Sequence, residues 1–459
     1  MSFEDNEKVL TVAIIGSGPS GFYAAEAIFK LKIPCVVHMY ERLATPFGLL
    51  RGGVAPDHQK LKSISKAYER IASHEAFHFF GNVTIGKDIE VSDLESAYHA
   101  VIFASGTETD RQLGIPGESL SGSHTATEFV GWYNGHPDYK DKAFDLSQKK
   151  VAIIGQGNVA IDVCRILAKT TKELKTSDIA DHALKALEDS QVEDIYLIGR
   201  RGPVQSAFTE LEIKELGELE EADPLVLSED LSLSQADQEE IDLPKNHKAQ
   251  KNVAILSGFS ERAQHSKKRR IHIRFFESPL EICGDTHVNA IKLGKNRLEG
   301  LAGQQKAVAT GETETLDVGL VFRSIGYRGV PINGVPFDEK KGVISNDAGR
   351  IIENNNIKEG WYVTGWIKRG PSGVIGTNRA DSIETVKKVE EDLSSLLEKN
   401  LNDKPDLLTT LKENGHRVIS FEDWKRIDEE EVRRGEGIGK PREKFTSTEA
   451  MITFLDEEG

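Results

Sequence analysis

Short apolar runs punctuate this chain, and the polar residues between them fall at helical spacing. Residues 11–15 (TVAII) are almost wholly apolar. A run without polar alternation predicts a strand buried on both faces. Gly16-Ser17-Gly18-Pro19-Ser20-Gly21 follows at once. Phe22, Ala25, Ile28 and Leu31 then recur along one face and predict a helix over 22–31. Pro34 closes the link, and residues 35–40 predict a second strand ending at Glu41. Strand, glycine turn, helix and strand in about thirty residues make a βαβ unit.

The same grammar recurs further on. Residues 150–154 predict a strand, Gly155-Gln156-Gly157-Asn158-Val159-Ala160 is the turn, and Val159, Val163, Ile166 and Leu167 share a helix face. Residues 194–198 predict the next strand, which ends in Gly199-Arg200-Arg201. The longer gap holds a helical segment near 178–187. Residues 210–242 are strongly acidic and poor in strand signal. Later strands are expected at 320–325 and 361–364, a helix from Gly373 to about Asn400, and short helices beyond 401. No solenoid repeat is present. The fold class expected is α/β, with two Rossmann-like dinucleotide-binding domains.

A length of 459 residues suits two or three domains. Lys and Arg total 58 against 74 Asp and Glu, a net charge of −16. That disfavours a nucleic-acid or anionic-membrane binder, although a local basic patch is compatible with it. Residues 262–274 hold such a patch: Arg262, Lys267, Lys268, Arg269, Arg270 and Arg274. Cys35, Cys164 and Cys283 stand far apart. They exclude a disulfide framework, disfavour an adjacent redox pair, and supply neither a metal-ligand set nor the four thiolates of a cluster. A reducing, cytoplasmic setting is expected. Residues 1–10 lack the apolar core of an export signal, and no run of 18 apolar residues predicts a transmembrane helix.

The two glycine turns carry the chemistry. In the first, glycines allow a tight turn, close approach to a pyrophosphate, and tight helix–strand packing. The helix N-terminus then faces the phosphates. Glu41, twenty residues after Gly21, can accept both ribose hydroxyls and repels a 2′-phosphate. Its N-terminal position favours FAD. The second turn has Ala160 at the third glycine position, and arginines replace the acid. Guanidiniums bind phosphate through paired, charge-assisted bonds, so Arg200 and Arg201 point to NADP. One fold for FAD and one for NADP implies hydride transfer between them.

The stretches PFGLLRGGVAPDH (46–58), GQGNVAIDVCRIL (155–167), GRRGPVQSAFT (199–209) and TGWIKRGPSGVIGTN (364–378) resemble the adrenodoxin-reductase-type ferredoxin–NADP reductases. The resemblance runs from Val12 to GKPREK at 439–444 and is weakest over 218–262. It implies an NADP domain at 109–324 inserted into an FAD domain made of 1–108 and 325–459. For FAD it implies Gly16, Gly18, Pro19, Ser20, Gly21, Glu41, Leu49, Ile85, Trp366, Gly373, Val374 and Ile375. Trp366 lies either against the flavin or in the core. For NADP it implies Gln156, Gly157, Asn158, Val159, Arg200, Arg201, Glu212 and Gly373, with Arg111 a weaker candidate. His58 and Asp162 are the titratable candidates for catalysis. His58 either tunes the flavin and electron exit or orders its loop. Asp162 faces the nicotinamide amide or has a buried hydrogen-bonding role. The activity implied is NADPH-driven reduction of a ferredoxin-type iron–sulfur protein; the basic run of 267–270 is either its docking face or a solvated strand flank that offsets the acidic stretch 210–242. An NADPH-dependent subunit of a larger, glutamate-synthase-like enzyme and a non-catalytic FAD-binding scaffold are the rival readings.

Overall fold

The computed structural model describes residues 8–244, 246–262, 267–401 and 406–457. Residues 1–7, 245, 263–266, 402–405 and 458–459, which fall inside stretches read from the sequence, lie outside the described residues. Two compact units divide the chain. Met1–Val54, His58–Thr109 and Tyr327–Gly459 supply the first; Asp110–Gly326 and the short stretch Ala55–Asp57 supply the second.

The first unit is built on a seven-stranded sheet. Leu10–Ile15 lies between Cys35–Glu41 and Ala100–Phe103, parallel to both. Phe77–Gly81 and Asn356–Val363 extend the sheet in parallel, and Arg350–Glu353 and Asn346–Asp347 add antiparallel strands at one edge. Val12 and Ile14 join one core with Val37, Met39 and Ile102; Ala13 and Ile15 join another with Tyr40, Val101 and Phe103. Side chains alternate across a strand, so burial of both faces requires an apolar run without alternation. The chain's next strand pairs on one side of Leu10–Ile15 and its later one on the other. That reversal opens a crevice at the carboxyl end of the strand, where ligands bind in such sheets.

The second unit repeats this plan. Its six strands run in the order Ser123–Thr125, Leu320–Arg323, Lys150–Ile154, Asp194–Ile198, Arg269–Arg274 and Ala222–Val226. Every pairing is parallel. Val151, Ile153, Ile195 and Leu197 face one core, and Ala152, Ile154, Tyr196 and Ile198 the other. A separate antiparallel sheet comprises Glu277–Cys283, Ala290–Glu299 and Lys306–Asp317.

Three details depart from the sequence reading. The acidic stretch contains the strand Ala222–Val226, whose buried positions alternate. It is an edge strand, where Pro224 is tolerated because one side needs no ladder donor. The C-terminal helix divides at Asp392 into Ile375–Glu391 and Leu393–Glu398.

The third departure concerns the basic run, which is open only in part. Arg269–Arg274 is an interior strand of the sheet. Arg269 is only 7% exposed and donates to the carbonyls of Val192 and Ala168. Arg270 is bidentate on Asp194, and Arg274 pairs with Glu277 and Glu314. Lys267 bonds Leu219 O and faces Asp223, while Arg262 bonds Gly217 O over the Phe259 ring. Strand alternation turns half of such a run inward, and acids neutralise much of the rest. Arg262, Lys268 and Arg270 remain exposed, so the surface offered by this run is narrower than its linear charge suggests.

Candidate dinucleotide-binding sites

In each unit the turn after the central strand is shaped the same way. Gly16 and Gly155 adopt φ +108° and +130°, a region closed to most side chains. A Cβ at Gly16 would sit 2.6 Å from Ala104 O, and one at Gly155 would overlap Ser324 O. The second glycines behave differently. A Cβ on Gly18 or on Gly157 would meet nothing within 4 Å. Steric crowding therefore explains the first glycine of each motif, and open space flanks the second.

The helices Pro19–Phe29 and Asn158–Ala168 begin here, and neither has a side-chain cap at its N-cap glycine. By contrast, Thr125, Thr170, Ser234 and Ser420 cap their helices. Uncapped first-turn N–H groups beside an open glycine fit a pyrophosphate.

Around the first turn, Glu41 is 9% exposed. Its Oε2 accepts from Ser17 N (3.0 Å) and Ser17 Oγ (2.7 Å), and its Oε1 accepts from Leu43 N (3.0 Å). The carboxylate thus braces the turn. Glu41 O accepts from Val83 N, two residues before the partly buried Ile85. The loop bearing the exposed Leu49 is held by a bond from Phe47 N to Ser17 O (3.0 Å). On the other side, Ser20 O accepts from Ser382 Oγ (2.9 Å), and a Cβ on Gly365 would overlap the Ser20 hydroxyl. Trp366, next in sequence, is partly exposed. Its ring stacks on Tyr327 at 5.6 Å and its Nε1 donates to Ser372 O. Gly373 and Val374 are exposed, and Val374 N donates to Thr377 Oγ1 as the helix Ile375–Glu391 begins. The structure therefore brings Gly18, Glu41, the Leu49 loop and Ser20 together.

In the second unit, Gln156 Nε2 donates to Arg274 O, and Gln156 O accepts from Ala207 and Phe208 N–H. Asn158 Oδ1 accepts from Thr209 N (2.8 Å). The residues after Arg201 are thereby folded onto the glycine turn. Arg200 and Arg201 are exposed at the strand end, their carbonyls accepting from Asn296 Nδ2 and Phe276 N. Among the described residues neither guanidinium has a hydrogen bond or an ion pair. Arg111 is exposed and donates its backbone N–H to Gly326 O.

Sequence reasoning missed a charge cluster one turn beyond Asp162. Arg165 is 1% exposed and contacts four carboxylates: Asp57, Asp162 (2.8 Å), Glu212 (3.1 Å) and Glu215 (3.2 Å). Lys169 adds a second cation on Asp57 at 2.7 Å. Burial alone would raise the Asp57 carboxyl, but Arg165 and Lys169 hold it far below the ordinary carboxylate range. Burial disfavours the Arg165 cation too, and the surrounding acids outweigh that. The one available signal was an arginine amid the apolar run VCRIL. Both Asp162 and Glu212 are engaged here. His58 is the N-cap residue before the short helix Gln59–Lys62, and its carbonyl accepts from Leu61 and Lys62 N–H.

Two nucleotide-type folds on one chain, each with an open glycine and an uncapped helix, define a two-dinucleotide oxidoreductase architecture. A family model described as pyridine nucleotide-disulphide oxidoreductase matches residues 10–198. The chain is 42% identical to the mitochondrial NADPH:adrenodoxin oxidoreductase of Arabidopsis thaliana, over 97% of this chain and 95% of that one. It is 44% identical to the NADPH-ferredoxin reductase FprA of Mycobacterium leprae, over 96% and 97%. The structure of Mycobacterium tuberculosis FprA in complex with NADPH superposes with a TM-score of 0.91 at 41% identity, covering 97% of this chain and 99% of that one. The chain belongs to the family of NADPH-dependent ferredoxin and adrenodoxin reductases. No described helix is long and apolar enough to cross a membrane.

Proposed function

We propose that this chain is an FAD-containing NADPH–ferredoxin reductase, with FAD at the first glycine turn and NADPH at the second. The observation that carries the assignment is the contrast at the strand ends: a braced carboxylate, Glu41, in one unit, and in the other two exposed guanidiniums that have no hydrogen bond or ion pair among the described residues. A carboxylate accepts ribose hydroxyls and repels a 2′-phosphate, whereas guanidiniums attract one.

In this reading the N–H groups after Gly18 and Gly157 receive the pyrophosphates, and Ser20, Leu49, Ile85, Trp366 and Gly373–Ile375 line the FAD side. FAD held there would supply the chemistry that joins a two-electron hydride donor to a one-electron iron–sulfur acceptor. Arg200 and Arg201 select NADPH over NADH. Gln156, Asn158 and Val159 shape the second turn. Asp162 and Glu212 act through Arg165 and order the nucleotide-side helix, which is the buried hydrogen-bonding role weighed for Asp162. His58 orders its loop, and its effect on electron exit is tested by His58→Gln under steady-state turnover. A cytoplasmic location belongs to the same reading, supported by three free cysteines.

The test is to purify the chain, release its flavin by denaturation, and measure ferricyanide reduction with NADPH and with NADH. One FAD per chain and a strong NADPH preference are expected. A chain that binds no FAD, or one indifferent to the 2′-phosphate, contradicts the assignment.

A further inference from the structure

The GKPREK stretch and the helix before it have no part in either glycine turn, yet they enclose a fully buried carboxylate. Glu431 lies in the helix Phe421–Glu436 and has no exposed side-chain surface. Its Oε2 accepts from Arg51 Nη1 at 2.8 Å, and its Oε1 accepts from Arg51 Nη2 at 2.5 Å. Arg442 Nη1 reaches Oε2 at 3.2 Å, and Phe445 N donates to Oε1 at 2.9 Å. Glu431 O accepts from Glu443 N. A Cβ at Gly435 would collide with the backbone of Arg442, so the stretch lies hard against the helix. Burial would raise the Glu431 carboxyl; the two guanidiniums outweigh it and hold the group below its ordinary value.

Arg51 belongs to the short helix Leu49–Gly52, which follows Gly48. A Cβ at Gly48 would lie 3.0 Å from Gly18 Cα, so this elbow rests on the open glycine of the first turn. Phe47 bends there with φ +83°, a conformation a bulky residue adopts only when its surroundings impose it. Phe22 at 5.4 Å and Tyr68 at 6.0 Å supply part of those surroundings, and the same C-terminal helix supplies the rest. Trp424 packs edge-on against Phe47 at 5.9 Å, and the Arg51 guanidinium lies over its ring at 5.0 Å.

We propose that Glu431 is a positioning residue for the FAD site: with Trp424 and the GKPREK stretch it clamps Arg51, and so holds the Phe47–Gly53 elbow against Gly18. This rests on the assignment of FAD to the first turn. A bidentate guanidinium–carboxylate pair fixes orientation as well as distance. Loss of the clamp frees the elbow to leave Gly18, which raises the rate of FAD loss more than it harms the fold.

The experiment compares full-length holoproteins: wild type, Glu431→Gln, Arg51→Lys and Arg350→Gln. Arg350 supplies the control, being likewise bidentate on a carboxylate of the same unit, Asp392. FAD loss is followed by trapping released flavin, the flavin environment by visible circular dichroism, and the fold by melting of the apoproteins. Expected are FAD loss about tenfold faster or more in Glu431→Gln, a smaller increase in Arg51→Lys, altered flavin dichroism in both, and an unchanged FAD off-rate in Arg350→Gln. If Glu431→Gln fails to fold, Arg51→Lys alone decides. FAD loss unchanged in the clamp variants, or raised equally in Arg350→Gln, overturns the proposal. A wild type that takes up no FAD overturns the functional reading, and the clamp with it.

Discussion

Arg165 and Asp57 form a bidentate ion pair: Nε donates to Oδ2 at 2.8 Å and Nη2 to Oδ1 at 3.0 Å. The pair ties Ala55–Asp57 to the helix that starts at the second glycine turn, within one compact unit.

Asp57→Asn should therefore destabilise the fold at neutral pH by about 1–3 kcal/mol, since it removes the bidentate partner of Arg165 while Asp162, Glu212 and Glu215 still compensate the buried charge. The Asp57 pKa is lowered in the folded state, so its contribution is fully present above the ordinary carboxylate value of about 4. It is lost as pH falls below that value toward the folded pKa. Melting temperatures of wild type and Asp57→Asn should begin to converge as pH falls below about 4. A gap that stays constant to the acid limit contradicts the ion-pair account.

Arg200→Ala with Arg201→Ala should weaken NADPH by one to several orders of magnitude and NADH little. Charge-assisted bonds are worth about 1.5–3 kcal/mol each. Both side chains are exposed and have no partner among the described residues, so melting should barely change. Equal weakening of both nucleotides, measured by KM, would show that these arginines do not read the phosphate.

Glu41→Ala removes three hydrogen bonds that brace the first turn. Unmade buried bonds cost about 1–3 kcal/mol each. The variant should purify with substoichiometric FAD while a 2′,5′-ADP affinity column still retains it. Full FAD content in the variant would remove Glu41 from the FAD site.

Arg269→Glu should fail to fold or melt far below wild type, because it sets a carboxylate against the Val192 and Ala168 carbonyls. Lys268→Glu, on the exposed neighbour, should be tolerated. Thermal melting of the two variants checks this. A stable Arg269→Glu variant would contradict the buried, carbonyl-bound placement of Arg269.

Period and punctuation made much of the fold legible. The strands at Leu10–Ile15, Lys150–Ile154 and Asp194–Ile198 stand where apolar runs meet glycine turns, because parallel strands buried on both faces leave that signature. Ala222–Val226 was hidden, since an acidic five-residue edge strand with a proline has no such run. The glycine turns and strand-end charges were visible because their chemistry is local in sequence. Arg165 with Asp57 and Arg51 with Glu431 were not: partners 108 and 380 residues apart leave no spacing to read. The basic run was legible only in part, because linear charge density ignores which side of a strand each residue faces, and Arg269 faces inward.

The measurement that tests the central claim most directly is anaerobic. NADPH is added to the purified, FAD-loaded chain together with an excess of a ferredoxin-type iron–sulfur protein, and the spectra of both are followed. The account predicts catalytic reduction of the iron–sulfur protein that depends on NADPH and on this chain, with NADH a poor substitute. FAD-loaded chain that NADPH does not reduce, or that is reduced yet passes no electrons to any iron–sulfur protein offered, would contradict it.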